Sequence, residues 1–404
     1  MKRIWIIYPY GDIPGEDFRD SRYTLFGSKL AENGYDVTWL TTNFSHITKE
    51  YREKSIVKVN DNFSVILLPV TPYKANISIG RIKYEQKYVK ELKKYFKENP
   101  APDLIITSGT GLLESFRPIW PYMKKTKVKV IFDIMDVPLL VDYMKKRHKV
   151  LSPFAVALSK VLQIKEKSFY KNVDAVSALG KNQLVYAQNK TGNRQIPSCL
   201  VYNGIDIEEF WNQETADINI DIIRDGDLVC VFAGSLGPSY DIEGIIACAK
   251  AFRNEKVKFV VAGGGPQQVI VEQAANTYGN IAYLGMLPPN KLASLYKKCD
   301  IGLCTYSDYS TVDMPDKFYD YCAAGLAVIN SLEGEVKDYI LDNEVGFQYK
   351  AGKPEEMYEI IDNLNKNRDL LEKCKENAYN IADCFDINKQ LDPFVKMVRE
   401  VIGE

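Results

Sequence analysis

The sequence predicts an α/β protein of two domains, each built on a parallel sheet. Three observations carry that expectation. Short apolar runs alternate with longer stretches of helical periodicity along the whole chain, the pattern of strands joined by helical crossovers. At 404 residues the chain exceeds what one hydrophobic core usually organises, so two domains of about 150–200 residues are expected. Charge is divided between the halves: residues 1–198 hold 33 Lys and Arg against 19 Asp and Glu, net +14, whereas the remainder holds 19 against 34, net −15. The total of −1 therefore hides two regions of opposite sign.

In the first half, strands are expected at Ile4–Tyr8, Asp36–Leu40, Ser64–Leu68, Leu104–Thr107, Lys129–Phe132 and Ala175–Ala178. Helices fit Arg19–Asn33, closed by Gly34, and Arg81–Asn99, stopped by Pro100. The pattern then restarts with strands at Leu228–Ala233, Lys258–Ala262, Ile281–Leu284, Ile301–Thr305 and Ala327–Asn330, and helices at Pro289–Lys298 and Asp316–Ala324. The polar stretch Asn212–Gly226 reads as a connection. The domain boundary is placed near residue 200, giving domains at 1–198 and 199–387, with the helical segment 388–404 able to pack back on the first. Parallel sheets of this kind put ligands beyond the carboxyl ends of their strands.

Composition excludes several classes of function. Hydrophobic content of 46% and charged content of 26% are those of a soluble globular chain, and no apolar run reaches the roughly 18–20 residues of a membrane span. The apolar start Ile4–Tyr8 reads as a first strand, not a signal peptide. The eight cysteines form no CxxC pair and sit mostly in apolar runs, as buried free thiols of a reducing cytoplasm do. Only His46 and His148 are present, which argues against histidine metal sites and most Ser-His-Asp arrangements. Basic clusters at Lys83–Lys97, Lys124–Lys129 and Lys145–Lys149 are either solvated helix faces or a surface for anionic lipid.

The candidate binding loops follow strands. Tyr8–Gly15, centred on Gly11, leads from the first strand into a helix and is either a plain turn or a loop whose amides approach an anion. Gly234-Ser235 ends the first strand of the second half and offers an amide and a hydroxyl to phosphate. Gly263-Gly264-Gly265-Pro266 suits a close backbone approach to a ligand or a tight strand-to-helix turn. Val312–Gly325 reads as a loop, a helix and a glycine stop; Lys317 and Asp320 lie three apart on one helix face, as a surface ion pair or as ligands of a phosphate and a ribose. Asp133 and Asp136 follow a strand, as caps or as carboxylates at a crevice edge. Asp225-Gly226-Asp227 has the DxD spacing of metal-dependent transferases but precedes its strand, and reads as a turn.

In this order the motifs resemble the GT4-type family of retaining glycosyltransferases with the GT-B fold, two Rossmann-like doubly wound domains facing a central cleft. The resemblance runs through Glu32–Leu40, Pro102–Ile106, Ile131–Asp136, Leu200–Asp206, Gly264-Gly265-Pro266, Leu284-Gly285 and Leu295–Asp300. Pro315-Asp316-Lys317 is similar to a branch with a "PSK" donor loop, often found in surface polysaccharide assembly. This chain departs from the family in having Ser235 where an arginine is common, no lysine in Gly237–Glu243, and Val312 at the first position of the paired-glutamate motif, with Asp320 at the second.

The resemblance implies that the second domain takes a nucleotide diphosphate sugar and the first an acceptor, either lipid-linked or glycan. It implies Gly11, Gly234, Ser235, Gly264, Gly265, Leu284, Gly285, Asp313, Pro315, Asp316, Lys317 and Asp320 as donor-binding residues. Lys317, Ser235 and the amides near Gly11 would meet diphosphate charge, Asp320 the ribose, and the amides of Asp313–Asp316 the sugar hydroxyls. Asp136 or Asp133 would face the acceptor or sugar. No metal or other cofactor and no nucleic-acid partner are expected. The protein is expected in the cytoplasm or at the inner face of an anionic membrane. A sugar-nucleotide 2-epimerase and a donor-binding subunit inactive alone are the alternatives.

Overall fold

The structure is a computed structural model that describes residues 1–16, 20–75, 78–109, 116–135, 167–192, 194–212, 216, 218–310 and 312–404. The chain forms two compact units. Met1–Val201 and Gln390–Glu404 make the first, and Tyr202–Lys389 the second.

The first unit is built on an eight-stranded sheet: β1 (Arg3–Ile7), β2 (Asp36–Thr42), β3 (Ile56–Lys58), β4 (Phe63–Leu68), β5 (Leu104–Ser108), β6 (Lys129–Ile134), β7 (Ala175–Ala178) and β8 (Ser198–Leu200). Their spatial order is β3-β4-β2-β1-β5-β6-β7-β8. All pairings are parallel except β3 with β4. Most central strands are apolar on both faces, as a sheet covered by helices on each side requires. The helix Ile79–Glu98 shows how one face is covered. It buries Tyr84, Tyr88, Leu92 and Phe96 at four-residue spacing, and Phe96 stacks on Trp5 of β1 with centroids 5.5 Å apart. Part of the closing helix Ile387–Ile402 completes this unit: Phe394 stacks on Phe26 at 4.0 Å and Lys29 pairs with Asp392 at 3.1 Å.

The second unit carries a six-stranded, wholly parallel sheet: β9 (Leu228–Ala233), β10 (Val257–Ala262), β11 (Ile281–Tyr283), β12 (Ile301–Cys304), β13 (Ala327–Asn330) and β14 (Gly346–Gln348). The order is β11-β10-β9-β12-β13-β14. In both sheets the first strand in sequence lies inside, with the chain winding outward to either side. β1 lies between β2 and β5, and β9 between β10 and β12. Such points of reversal leave a crevice at the strand carboxyl ends, because the connections on each side depart in opposite directions. Gly11 follows β1 and Gly234 follows β9, so both glycines stand at a reversal point.

Two sequence expectations need correction. Asn212–Gly226 is not a linker between the units: it falls inside the second. Ile218 and Ile220 are buried, the Ala216 amide donates to Ser294 Oγ at 2.9 Å, and Lys298 Nζ donates to the Ile218 carbonyl at 2.6 Å. Three strands, β3, β8 and β14, were not anticipated. Each has three residues and lies at a sheet edge, where pairing on one side suffices. All eight cysteines are free; seven are buried and Cys384 is exposed. Among the described residues no helix is long and apolar enough to cross a membrane.

Candidate donor site

Three strand-end turns in the second unit are laced by backbone hydrogen bonds. Gly234 N donates to Ala262 O at 3.0 Å, Leu236 N to Gly264 O at 2.9 Å, and Gly263 N to Gly285 O at 2.7 Å. The approach is too close for side chains. A Cβ on Gly263 would fall 1.8 Å from the Gly234 carbonyl oxygen, and one on Gly265 would fall 2.7 Å from that of Leu236. Both also have left-handed φ values, +140° and +149°. The glycines predicted as a donor platform therefore meet: Gly234, Gly264, Gly265 and Gly285 belong to one surface at the carboxyl ends of β9, β10 and β11. Leu284 joins it through its amide, which donates to Val261 O at 3.0 Å. Ser235 is exposed on this surface.

The helix Asp316–Ala323 supplies the charge. Pro315 precedes its first turn in extended conformation, and Lys317 points inward. It is 7% exposed, not on the surface as an ion pair with Asp320 would require. Its Nζ lies 3.9 Å from the ring centroid of Phe232, 4.3 Å from that of Tyr240 and 5.0 Å from that of Tyr306. Among the described residues no hydrogen-bond partner meets it. Burial pulls its pKa down to about 7, against smaller upward effects of Cys304, Asp320 and Asp316. A Cβ on the exposed Gly234 would stand 3.3 Å from Nζ, so the glycine leaves the ammonium uncovered from that side.

The carboxylates nearby are differently used. Asp313 is buried, and its Oδ1 accepts the Glu335 amide at 2.9 Å, which seats the helix Glu335–Asp342. Asp316 is exposed and accepts from Asn203 Nδ2 at 2.9 Å. This gives the Asn203-Gly204 turn a task its sequence did not suggest. Asp320 is half-buried one turn beyond Lys317.

In the first unit Gly11 has φ +105°, and its carbonyl accepts from Arg52 Nη2 at 3.0 Å. Arg52 is also held by Glu16 at 2.8 and 3.0 Å, so the loop after β1 is tied from behind. Asp133 does not stand at an open edge. It is fully buried, and Arg22 grips it with Nε and Nη2 at 2.8 Å each. Tyr23 Oη adds a third bond at 3.0 Å and Ser177 Oγ a fourth at 2.7 Å. A carboxylate with this many donors is a structural anchor in this geometry. Asp136 lies outside the described residues.

Sequence reasoning missed the three rings around Lys317, as well as Arg22 and Arg52. Phe232 and Tyr240 are distant in sequence from Lys317, and Arg22 is 111 residues from Asp133, so no spacing rule reaches them. Asp225-Gly226-Asp227 is a turn ahead of β9: Asp227 Oδ2 accepts the Arg224 amide at 2.8 Å and lies 3.9 Å from Lys258 Nζ. Among the described residues no group of three His, Cys, Asp or Glu could hold a metal ion.

Two parallel-sheet Rossmann-like units, the second with a glycine platform at its reversal point, define the GT-B fold. Solved structures agree in fold over the whole chain. Sucrose-phosphate synthase from Thermosynechococcus elongatus matches with TM-score 0.76 at 16% identity, covering 100% of both chains. WaaG, a glycosyltransferase involved in lipopolysaccharide biosynthesis, matches with TM-score 0.66 at 16% identity, again covering 100% of both. Anabaena HepE in complex with UDP matches with TM-score 0.67 at 15% identity, covering 99% of this chain and 100% of that one. Residues 213–381 match the family described as Glycosyl transferases group 1. The chain thus has the GT-B fold, and most of its second unit is similar to the group 1 glycosyltransferases.

Proposed function

We propose that this protein is a retaining glycosyltransferase that takes a nucleotide diphosphate sugar on the second unit and delivers the sugar to an acceptor held by the first. The observation that carries this reading is the buried, unpartnered ammonium of Lys317 beside the bare Gly234 turn. A diphosphate laid across the Gly234, Gly264 and Gly285 turns would meet backbone amides, the Ser235 hydroxyl and that ammonium. Asp320 would bind the ribose, and the amides around Asp313–Asp316 the sugar hydroxyls.

In the proposed reaction the bond from the sugar's anomeric carbon to the diphosphate oxygen breaks. A bond to the acceptor oxygen forms on the same face. The departing diphosphate takes the acceptor's proton, so no protein base is required. The protein orients the two substrates and stabilises charge on the leaving group. Asp133 anchors Arg22, which also holds the Val201 carbonyl, inside the first unit. Asp136 keeps its proposed place at the acceptor or sugar.

The acceptor is proposed to be a lipid-linked or polysaccharide intermediate, reached at an anionic membrane surface. Structures of HepE with UDP and with UDP-glucose make UDP-sugars the first donors to test. The test is donor turnover by Lys317→Met, which keeps the side-chain volume inside the ring cage. Turnover should fall about 10²–10³-fold, the scale of one lost electrostatic stabiliser, and Lys317→Arg should recover part of it. EDTA should leave the wild type active. Near-normal turnover of Lys317→Met at saturating donor, or activity restored only by Mn²⁺ or Mg²⁺, would sink the assignment. Donor conversion without any acceptor would point to the epimerase alternative.

A further inference from the structure

The three rings around Lys317 have a consequence that rests on the donor reading above and goes beyond it. Buried lysines are ordinarily neutralised by a carboxylate. Here Phe232, at the end of β9, and Tyr240 and Tyr306 meet the ammonium instead. The two tyrosines come from separate loops joined by an antiparallel bridge between Tyr240 and Tyr306, with ring centroids 4.7 Å apart. The Tyr306 amide is fixed on Ser331 Oγ at 2.7 Å. Ring faces attract a cation but accept no strong hydrogen bond, so the three N–H donors of Lys317 are left for a ligand.

We propose that Tyr240 and Tyr306 are positioning residues that hold the Lys317 Nζ against ring faces with its donors open to a ligand, so that binding of the donor diphosphate is coupled to uptake of a proton by Lys317. Among the described residues the groups facing Nζ are few. Cys304 of β12 is itself pushed up to about 12 by burial and is neutral near pH 7. Burial raises both tyrosines, which stay as neutral phenols. Asp320 and Asp316, on the lysine's own helix, draw its pKa upward by less than burial lowers it. A diphosphate adds negative charge beside Nζ and favours the ammonium. The sign follows from linkage: the bound state holds the proton more tightly, so donor affinity is greatest below the free-state pKa of about 7 and declines as pH rises above it, by at most about tenfold per unit.

The experiment is calorimetric titration of the full chain with UDP-glucose, whose diphosphate diester does not itself titrate near neutrality. It is run between pH 6.5 and 8.5 in buffers of different ionisation enthalpy. The expected result is a buffer-dependent heat reporting proton uptake, with a dissociation constant about tenfold weaker at pH 8.5 than at pH 7. Lys317→Arg, charged at every pH, should bind with no proton uptake and a flat pH profile. Tyr306→Leu should move the decline to lower pH, because a ring that favours the ammonium is gone. In the Lys317→Arg background the same change should not restore a slope, whereas a merely structural loss would weaken both proteins alike at all pH values. Binding of UDP-glucose with equal affinity at pH 6.5 and 8.5 and no buffer dependence overturns this inference while leaving the donor reading intact. No binding at any pH overturns both.

Discussion

Arg22 and Asp133 form a two-pronged ion pair inside the first unit, both oxygens of the carboxylate being held at 2.8 Å by a guanidinium that is almost wholly buried. The third Arg22 nitrogen donates to the Val201 carbonyl at 2.7 Å, so the pair also ties β6 to the last residue of the unit's main segment. Removing one partner would leave the other charge in a medium that cannot solvate it. Asp133→Ala should therefore lower stability by about 3–5 kcal/mol, and Arg22→Met by a similar amount. The check is the urea midpoint of each variant. Asp133→Asn with an unchanged midpoint but a hundredfold loss of turnover would instead make Asp133 a reacting group.

The glycine platform gives a sharper geometric prediction. At Gly263 a methyl group would overlap a backbone carbonyl that cannot rotate away, and φ +140° disfavours any L side chain. Gly263→Ala should cost about 1–3 kcal/mol in backbone strain alone, with loss of donor binding. Gly279→Ala, where no atom lies within 4 Å of the added carbon, is the control. Thermal shifts with and without UDP-glucose report both effects. Equal stability and equal ligand response in the two variants would show that the turns are not packed in this way.

His46 provides a pH test in the first unit. Burial first, then Lys49 and Arg81, lower its pKa to about 4, and its Nδ1 contacts the Tyr73 hydroxyl. An unfolded histidine titrates near 6.5. Between these values the unfolded chain binds a proton that the folded chain does not, so stability rises as pH increases from about 4 to 6.5 and is level above. Asp12 acts in the opposite sense, since burial raises it to about 6. The difference between wild type and His46→Asn isolates the histidine. It should slope by less than ~1.4 kcal/mol per pH unit, because the ring is partly solvated. A flat difference between pH 4.5 and 6.5 would mean that His46 is protonated in the fold.

The helix Ile79–Glu98 turns Tyr84, Tyr88, Leu92 and Phe96 inward and leaves Lys83, Lys90, Lys93, Lys94 and Lys97 exposed. Lys83, Lys90, Lys94 and Lys97 recur at the spacing of one helix face. Each lysine near an anionic bilayer adds about 1 kcal/mol, screened beyond a Debye length. Flotation with phosphatidylserine vesicles should capture the protein at low salt and release it at high salt, and changing Lys90, Lys94 and Lys97 to Glu should abolish capture. Undiminished capture of that triple variant would assign these lysines to solvent alone. The cluster Lys145–Lys149 lies outside the described residues.

Strands that cross a sheet interior were legible because burial on both faces demands continuous apolar runs, as in Leu228–Ala233 and Leu104–Thr107. The edge strands β3, β8 and β14 were not. Ile56–Lys58, Ser198–Leu200 and Gly346–Gln348 are too short for any period, and only a neighbour already in place turns them into strands. The same limit explains Asn212–Gly226, whose few apolar residues became core only because the helix Pro289–Tyr296 lies against them.

What the sequence by itself determined was the α/β class, the restart of the pattern in the second half and the glycines after β9 and β10. Each of these follows from local requirements: hydrophobic periodicity along the chain, and backbone conformations that only glycine adopts freely. Tertiary structure decided the electrostatics. Lys317 is seventy residues or more from Phe232 and Tyr240, and Asp133 more than a hundred from Arg22, so neither the ring cage nor the saturated carboxylate could be inferred from spacing. Charge is governed by which groups surround it and how much water they exclude, and folding alone brings those groups together.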